Sequence, residues 1–169
     1  MVTIYTDGAC IGNPGAGGYG AILFYKNHKK SIAQGYLHTT NNRMELLAVI
    51  AALQLLTKPN LDITIYSDSQ YIVNSVSKGW LATWLKTNFK GDKKNPDLWL
   101  TYHLLAKQHN VEFVWVKGHA DNEYNNQCDE LATTAAANKA NLIPDEGYGN
   151  EKAQYAKILG GGVLSTGLL

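Results

Sequence analysis

From residue 2 to residue 7 (VTIYTD) apolar and polar side chains alternate, the period-two pattern of a half-buried strand. The glycine-rich GNPGAGGYG that follows excludes a helix and reads as a turn leading into a second strand over residues 21–25. Residues 26–30 form a polar turn and residues 31–38 a third strand, which completes an antiparallel meander. The period then changes. Met44, Leu47, Ala48, Ala51 and Leu55 recur at helical spacing. The Thr and Asn side chains of residues 39–42 are suited to accept from first-turn amides, and Pro59 closes the segment. Residues 62–67 (DITIYS) predict a strand, 69–77 and 80–86 helices, 88–96 a polar loop and 98–108 a helix. A strand over 111–116 (VEFVWV), a loop over 118–122 and a helix over 123–140 complete the pattern. Strands that first pair locally and then alternate with helices predict an α/β fold, a five-stranded mixed sheet flanked by helices.

At 169 residues the chain fits one domain with a single core, and 45% hydrophobic with 17% charged residues is a globular composition. No apolar run is long enough to span a bilayer, and the start lacks the basic-then-apolar pattern of a signal peptide, so a cytoplasmic protein with no membrane partner is expected. Two cysteines, Cys10 and Cys128, form no CxxC pair and fit free thiols in a reducing compartment. After residue 141 large apolar groups thin out until ILGGGVLSTGLL at the end, and Gly160–Gly162 argue against a packed helix. The end of the chain is therefore expected to be a mobile tail.

Net charge is +1, but its distribution is uneven. Lys78, Lys86, Lys90, Lys93 and Lys94 crowd one stretch in which Asp92 is the sole acid, with Trp80, Trp84 and Phe89 interleaved. Such a patch fits nucleic-acid contact at one face. It fits equally a solvated lysine-rich segment whose aromatics lie in the core.

The candidate chemistry is acidic. Asp7 (IYTDGA), Glu45 (NNRMELLA), Asp68 (IYSDSQ) and Asp129 (NQCDELA) each stand at an expected strand end or on an inward helix face. If the two IY(T/S)D strands are parallel neighbours, Asp7 and Asp68 meet about 5 Å apart at one sheet edge. Gathered carboxylates repel and raise one another's pKa, so a fold that gathers them usually neutralises them with divalent cations. An oxygen-only ligand set favours Mg²⁺ or Mn²⁺ over zinc.

Over about residues 1–148 the chain resembles type 1 ribonuclease H, the bacterial branch, through YTDGACIGNPGAGGYGAIL, TTNNRMELLA, SDSQYIV, DLW, WVKGHA and NNQCDELA in the family's order. The resemblance implies a ribonuclease H-like catalytic domain over residues 1–148, with residues 149–169 as the tail, and an endonuclease that hydrolyses the RNA strand of RNA/DNA hybrids, leaving 5′-phosphate and 3′-hydroxyl ends. It implies a catalytic and metal-binding set of Asp7, Glu45, Asp68 and Asp129 holding two Mg²⁺ ions, for which Mn²⁺ substitutes, with His119 of KGHAD as a mobile catalytic residue. It places Gly8, Cys10, Asn13, Asn41, Glu45 and Gln70 along the RNA strand, Trp80 and Trp84 against the DNA strand, and Thr40 and Asn95 at a DNA phosphate. An aromatic ring packs on deoxyribose where a 2′-hydroxyl would clash.

Other residues read more plainly. Gly15, Gly17, Gly18 and Gly20 fit turn geometry alone, and His28, His103 and His109 read as ordinary surface residues. Glu130 reads as one side of a surface ion pair, while Arg43 stays open between that and a substrate contact. His38 stands where the family commonly has arginine, and the basic loop is short, so hybrid binding is expected to be weak and salt-sensitive. The rival readings are another nuclease of the same fold and a hybrid-binding module without catalysis. A start at Met1 with no polymerase portion leads us to expect a stand-alone, monomeric enzyme.

Overall fold

The computed structural model describes residues 1–91 and 94–161. Lys93 of the basic patch and the terminal GVLSTGLL lie outside the described residues. The meander forms as expected in outline, with longer strands: β1 (Val2–Ile11), β2 (Gly15–Tyr25) and β3 (His28–Thr39). Helix α1 (Asn41–Gln54) follows, then β4 (Asp62–Ser67), α2 (Gln70–Ser77), α3 (Trp80–Lys86), α4 (Pro96–Ala106), β5 (Asn110–Trp115) and α5 (Glu123–Ala137). A short strand β6 (Leu142–Ile143) and helix α6 (Glu151–Gly161) close the chain. The sheet order is β5-β4-β1-β2-β3-β6. It is mixed as expected: β1–β2 and β2–β3 are antiparallel, while β1–β4, β4–β5 and β3–β6 are parallel. It has six strands rather than five, because two residues after α5 add to the β3 edge.

The glycine-rich stretch is a correction. Gly15 to Gly20 lie within β2, Ala16 to Gly20 opposite β1, and Gly15 alone keeps the expected turn role, since a Cβ there would strike the Ile11 and Gly12 carbonyl oxygens. In the other glycines the lack of a side chain serves packing. A Cβ on Gly20 would stand 2.6 Å from the Cys128 carbonyl oxygen, and one on Gly18 would strike the Ala132 carbonyl oxygen. Helix α5 therefore seats its backbone on the sheet only where β2 has no side chains. Gly12, at φ +69°, is the residue that turns the chain.

Helix α1 is capped by Thr40, whose Oγ1 accepts from the Arg43 amide at 3.3 Å. Its buried set is broader than the predicted stripe. Met44, Leu46, Val49, Ala52 and Leu53 are buried while Leu47, Ala51 and Leu55 are only half-buried, because α1 is covered by β1 and β2 on one side and α4 on another. The core is built on Ile4, Ile63 and Ile65 of the central strands, with Leu46, Leu53, Ile72 and Trp99 from the helices.

Where a mobile tail is expected after residue 148, residues 151–161 form α6, packed on α4, with Tyr155 against the core.

Candidate active site

Parallel pairing of β1 with β4 runs from Val2–Ile63 to Thr6–Ser67. There β4 stops, and Asp68 follows it directly into α2, capped by Ser69. Strand β1 does not stop. Asp7 sits inside it, paired with Gly20 of β2, with the β4 side opened by the end of that strand. Glu45 reaches the same opening from the first turn of α1. Ligand oxygens of Asp7, Glu45 and Asp68 lie within 4.8 Å of one another. Asp129 of α5 and His119 line the same cleft of about 410 Å³, with Gly8, Ala9, Cys10, Asn41 and Ser69. Asp129 is thus in the cleft but outside the tight trio.

The electrostatics is that of a site short of positive charge. Burial, then the neighbouring Asp68 and Asp129, push the Asp7 carboxyl up to about 7, although hydrogen bonding with Glu45 and the Gly8 amide work the other way. Burial, then the charge of Asp7, drive Glu45 well above the carboxylate range. Asp68 is raised as well, by burial first. Asp7 and Glu45 are each 4% exposed. Asp7 Oδ1 accepts from the Gly8 amide at 2.9 Å, whereas Glu45 Oε2 is buried without any hydrogen-bond partner. An orphan carboxylate oxygen in a cluster of acids is the donor a hard divalent cation takes, so the residues fit one. A larger groove of about 800 Å³ between α5 and the β3–β6 edge contains Glu130 among mostly small and polar residues and has no such cluster.

His119 is exposed at φ +55°, on the loop between β5 and α5. Its neighbour Gly118 packs so closely that a Cβ would stand 2.7 Å from Asp68 Oδ2. Trp115, 46% exposed, donates its indole N–H to the Asp68 carbonyl oxygen at 3.2 Å. No local pattern along the chain points to that bond, since it joins the ends of two separate strands.

The expected substrate residues fall into two groups. Gly8, Cys10, Asn13, Thr40 and Asn41 form one rim. Asn13 Oδ1 accepts from the Asn41 amide at 3.0 Å, and the Cys10 thiol points to the Gly12 and Thr39 carbonyl oxygens at 3.0 and 3.4 Å. Gln70 is exposed at the start of α2. Trp80 and Trp84 lie apart, lining a groove of about 550 Å³ with Thr83, Thr87 and Lys90. Trp80 is 42% exposed with Lys78 Nζ 5.6 Å from its ring centre. Trp84 packs on Phe89 and Trp99, with ring centres 6.2 and 6.0 Å away. Asn95 is buried. Its Oδ1 accepts from Arg43 at 3.3 Å, and its Nδ2 donates to the Tyr71 hydroxyl at 3.2 Å.

Arg43 is neither a surface ion pair nor an open substrate contact. It is 1% exposed and its guanidinium is forked onto Asp97 at 2.9 and 2.8 Å and onto Asp145 at 2.7 and 3.1 Å. Burial opposes its charge, but the two carboxylates outweigh it and hold its pKa above the usual range. The arginine joins α1, α4 and the chain before α6 two residues away from Glu45. His109 also differs from expectation: it is half-buried, and its Nδ1 accepts from the Leu61 amide at 3.2 Å.

A mixed sheet whose central parallel pair ends beside gathered carboxylates, with helices on both faces, defines a ribonuclease H-like hydrolase. A family model described as RNase H matches residues 1–137, and the chain belongs to that family. It is 50% identical over 154 residues to a Ribonuclease H of Rippkaea orientalis, covering 89% of this chain and 93% of that one. It is 49% identical over 152 residues to the Ribonuclease HI of Haemophilus influenzae, covering 88% and 96%. Among solved structures, LC9-RNase H1, described as a type 1 RNase H with the type 2 active-site motif, superposes with a TM-score of 0.74 at 27% identity, covering 91% of this chain and 84% of that one.

Proposed function

We propose that the cleft around Asp7 is where this ribonuclease H hydrolyses the RNA strand of an RNA/DNA hybrid, with Asp7, Glu45, Asp68 and Asp129 holding two Mg²⁺ ions. The observation that carries the reading is the partnerless Glu45 Oε2 in a trio of carboxylates whose pKa values are all raised. Bound there, the ions supply an acidified attacking water and charge stabilisation at the leaving 3′-oxygen. The residues around them orient and exchange protons. His119, on the exposed loop beside Gly118, takes or returns a proton at the mouth of the cleft. Gly8, Cys10, Asn13, Asn41 and Gln70 follow the RNA strand and sense its 2′-hydroxyls. Small residues suit that rim, where backbone must approach sugar.

The DNA strand meets Trp80 and Trp84, with Lys78, Lys86 and Lys90 supplying sequence-independent attraction. Thr40 binds a DNA phosphate, and Asn95 joins it through the second Nδ2 hydrogen, the first being given to Tyr71. Among the described residues no helix is long and apolar enough to cross a membrane. Cys10 and Cys128 are free, which suits a monomeric enzyme of the reducing cytoplasm.

The test is cleavage of a uniformly labelled RNA/DNA hybrid with Mg²⁺, beside RNA/RNA, DNA/DNA and single-stranded RNA, for this protein and for Asp7→Asn. Cleavage of the hybrid alone, lost in the variant, is expected. Hybrid binding without cleavage would make the chain a binding module instead.

A further inference from the structure

Helix α6 lies beyond the residues 1–137 that the family model covers, and nothing in the cleft requires it. Its attachment is specific. The chain leaves β6 and reaches Asp145, whose carboxylate takes the Thr39 hydroxyl at 2.7 Å as well as the Arg43 guanidinium. Turns follow in which the Tyr148 amide donates to the Asp145 carbonyl oxygen and the Asn150 amide to that of Gly147, at 3.2 and 3.1 Å. Glu151 opens the helix 4.0 Å from Arg43 Nη1. One turn later Tyr155 faces the loop after α3. Its ring meets Phe89 edge-to-face, centres 5.3 Å apart at 72°, and its hydroxyl lies 3.4 Å from Asn88 Oδ1.

Those two loop residues are held in a conformation that side-chain-bearing residues rarely adopt. Asn88 and Phe89 have φ of +50° and +56°. Consecutive left-handed residues persist only where their surroundings impose them. Here the Phe89 amide donates to the Trp84 carbonyl oxygen at 2.8 Å, and the Phe89 ring, 4% exposed, is covered by Trp84 and Tyr155. Trp84 in turn lines the groove with Trp80, Thr83, Thr87 and Lys90. The order of contact is Tyr155, Phe89, Trp84, groove.

We infer that α6 is a brace for the tryptophan groove and that Tyr155 is its positioning residue, setting Trp84 through Phe89 for contact with the DNA strand. The inference rests on the reading that this groove receives the DNA strand. Tyr155 touches neither the carboxylates nor their cleft, so its loss acts on hybrid binding and leaves the chemical step alone.

The test uses the full chain with Tyr155→Ala, Tyr155→Leu, Trp84→Ala and the double variant Trp84→Ala/Tyr155→Ala. Tyr155→Leu keeps apolar bulk, so a folded variant is available if the alanine unfolds the helix, and circular dichroism checks folding of each. Steady-state cleavage of a hybrid in Mg²⁺ separates KM from kcat, and anisotropy of a labelled hybrid in EDTA reads binding alone. The expected result is a KM and a dissociation constant raised about three- to tenfold in Tyr155→Ala, the range one aromatic pair supports, with kcat within about twofold. Because Tyr155 works through Trp84, it adds nothing in the double variant beyond Trp84→Ala. If Trp84→Ala weakens binding and neither Tyr155 variant does, or if the two effects add in full, the brace is refuted while the groove stands. If Trp84→Ala itself leaves KM unchanged, the reading of the groove falls and the brace with it.

Discussion

Neutralising Asp7 stabilises the metal-free protein while it abolishes hydrolysis. The carboxyl of Asp7 moves from an ordinary 3.8 to about 7 on folding, chiefly through burial and then through Asp68 and Asp129. At about 1.4 kcal/mol per tenfold change in proton affinity, holding it ionised in the fold costs about 4 kcal/mol above pH 7. Relaxation of the cleft and entry of water reduce that figure, so Asp7→Asn gains about 2–4 kcal/mol at pH 8 in EDTA. The isosteric amide keeps an oxygen for the Gly8 amide bond at 2.9 Å. For a chain of this size the gain corresponds to about 4–16 °C in Tm. The sign with pH follows from the raised carboxyl. Between 3.8 and about 7 the native state binds more protons than the unfolded one, so the parent loses stability as pH rises through that window. The advantage of the variant is therefore near zero at pH 4 and full above pH 7. Mg²⁺ narrows the gap, since it stabilises the parent by binding the native state and the variant binds it less. Thermal unfolding of both proteins at pH 4 and pH 8, with EDTA and with Mg²⁺, reads all of this. A variant no more stable than the parent at pH 8 in EDTA, or equally favoured at pH 4, would refute the electrostatic reasoning.

Arg43→Met leaves Asp97 and Asp145 buried without their partner and costs about 3–5 kcal/mol, measured by urea unfolding; a loss under about 1 kcal/mol would show that the cluster reorganises freely. Gly20→Ala drives a methyl into the Cys128 carbonyl oxygen and lowers Tm, and an unchanged Tm would mean that α5 lifts from β2 without cost. His119→Ala lowers kcat about 100-fold with Tm nearly unchanged, because the side chain is exposed; equal kcat would remove it from proton transfer. His38→Arg strengthens hybrid binding and steepens the plot of log K against log salt by about one, read by anisotropy over a salt series.

Much of this molecule could be read along the chain, because local rules dominate there. The strand over 62–67, the short helix over 80–86 and a helix cap within residues 39–42 emerge as expected, since period, capping and breaker residues act within a few positions. The four carboxylates were legible because their contexts are distinctive, whereas the parallel pairing of the two IY(T/S)D segments, only a condition in the sequence, is supplied by the structure. What the chain determined by itself is thus the order of its elements from β1 to α5 and the identity of its acids. The tertiary structure decided everything that needs a distant neighbour. It turned the run of glycines from an apparent turn into a seat for α5, made Arg43 the buried junction of three segments, and wrapped α1 on two sides where one apolar stripe was expected. It also gave residues 151–161 a helix and a place on the core, because Asp145 and Tyr155 find their partners at Arg43, Thr39 and Phe89, more than sixty residues back along the chain. Packing and buried charge are pairings across space, and no local period along a sequence carries them.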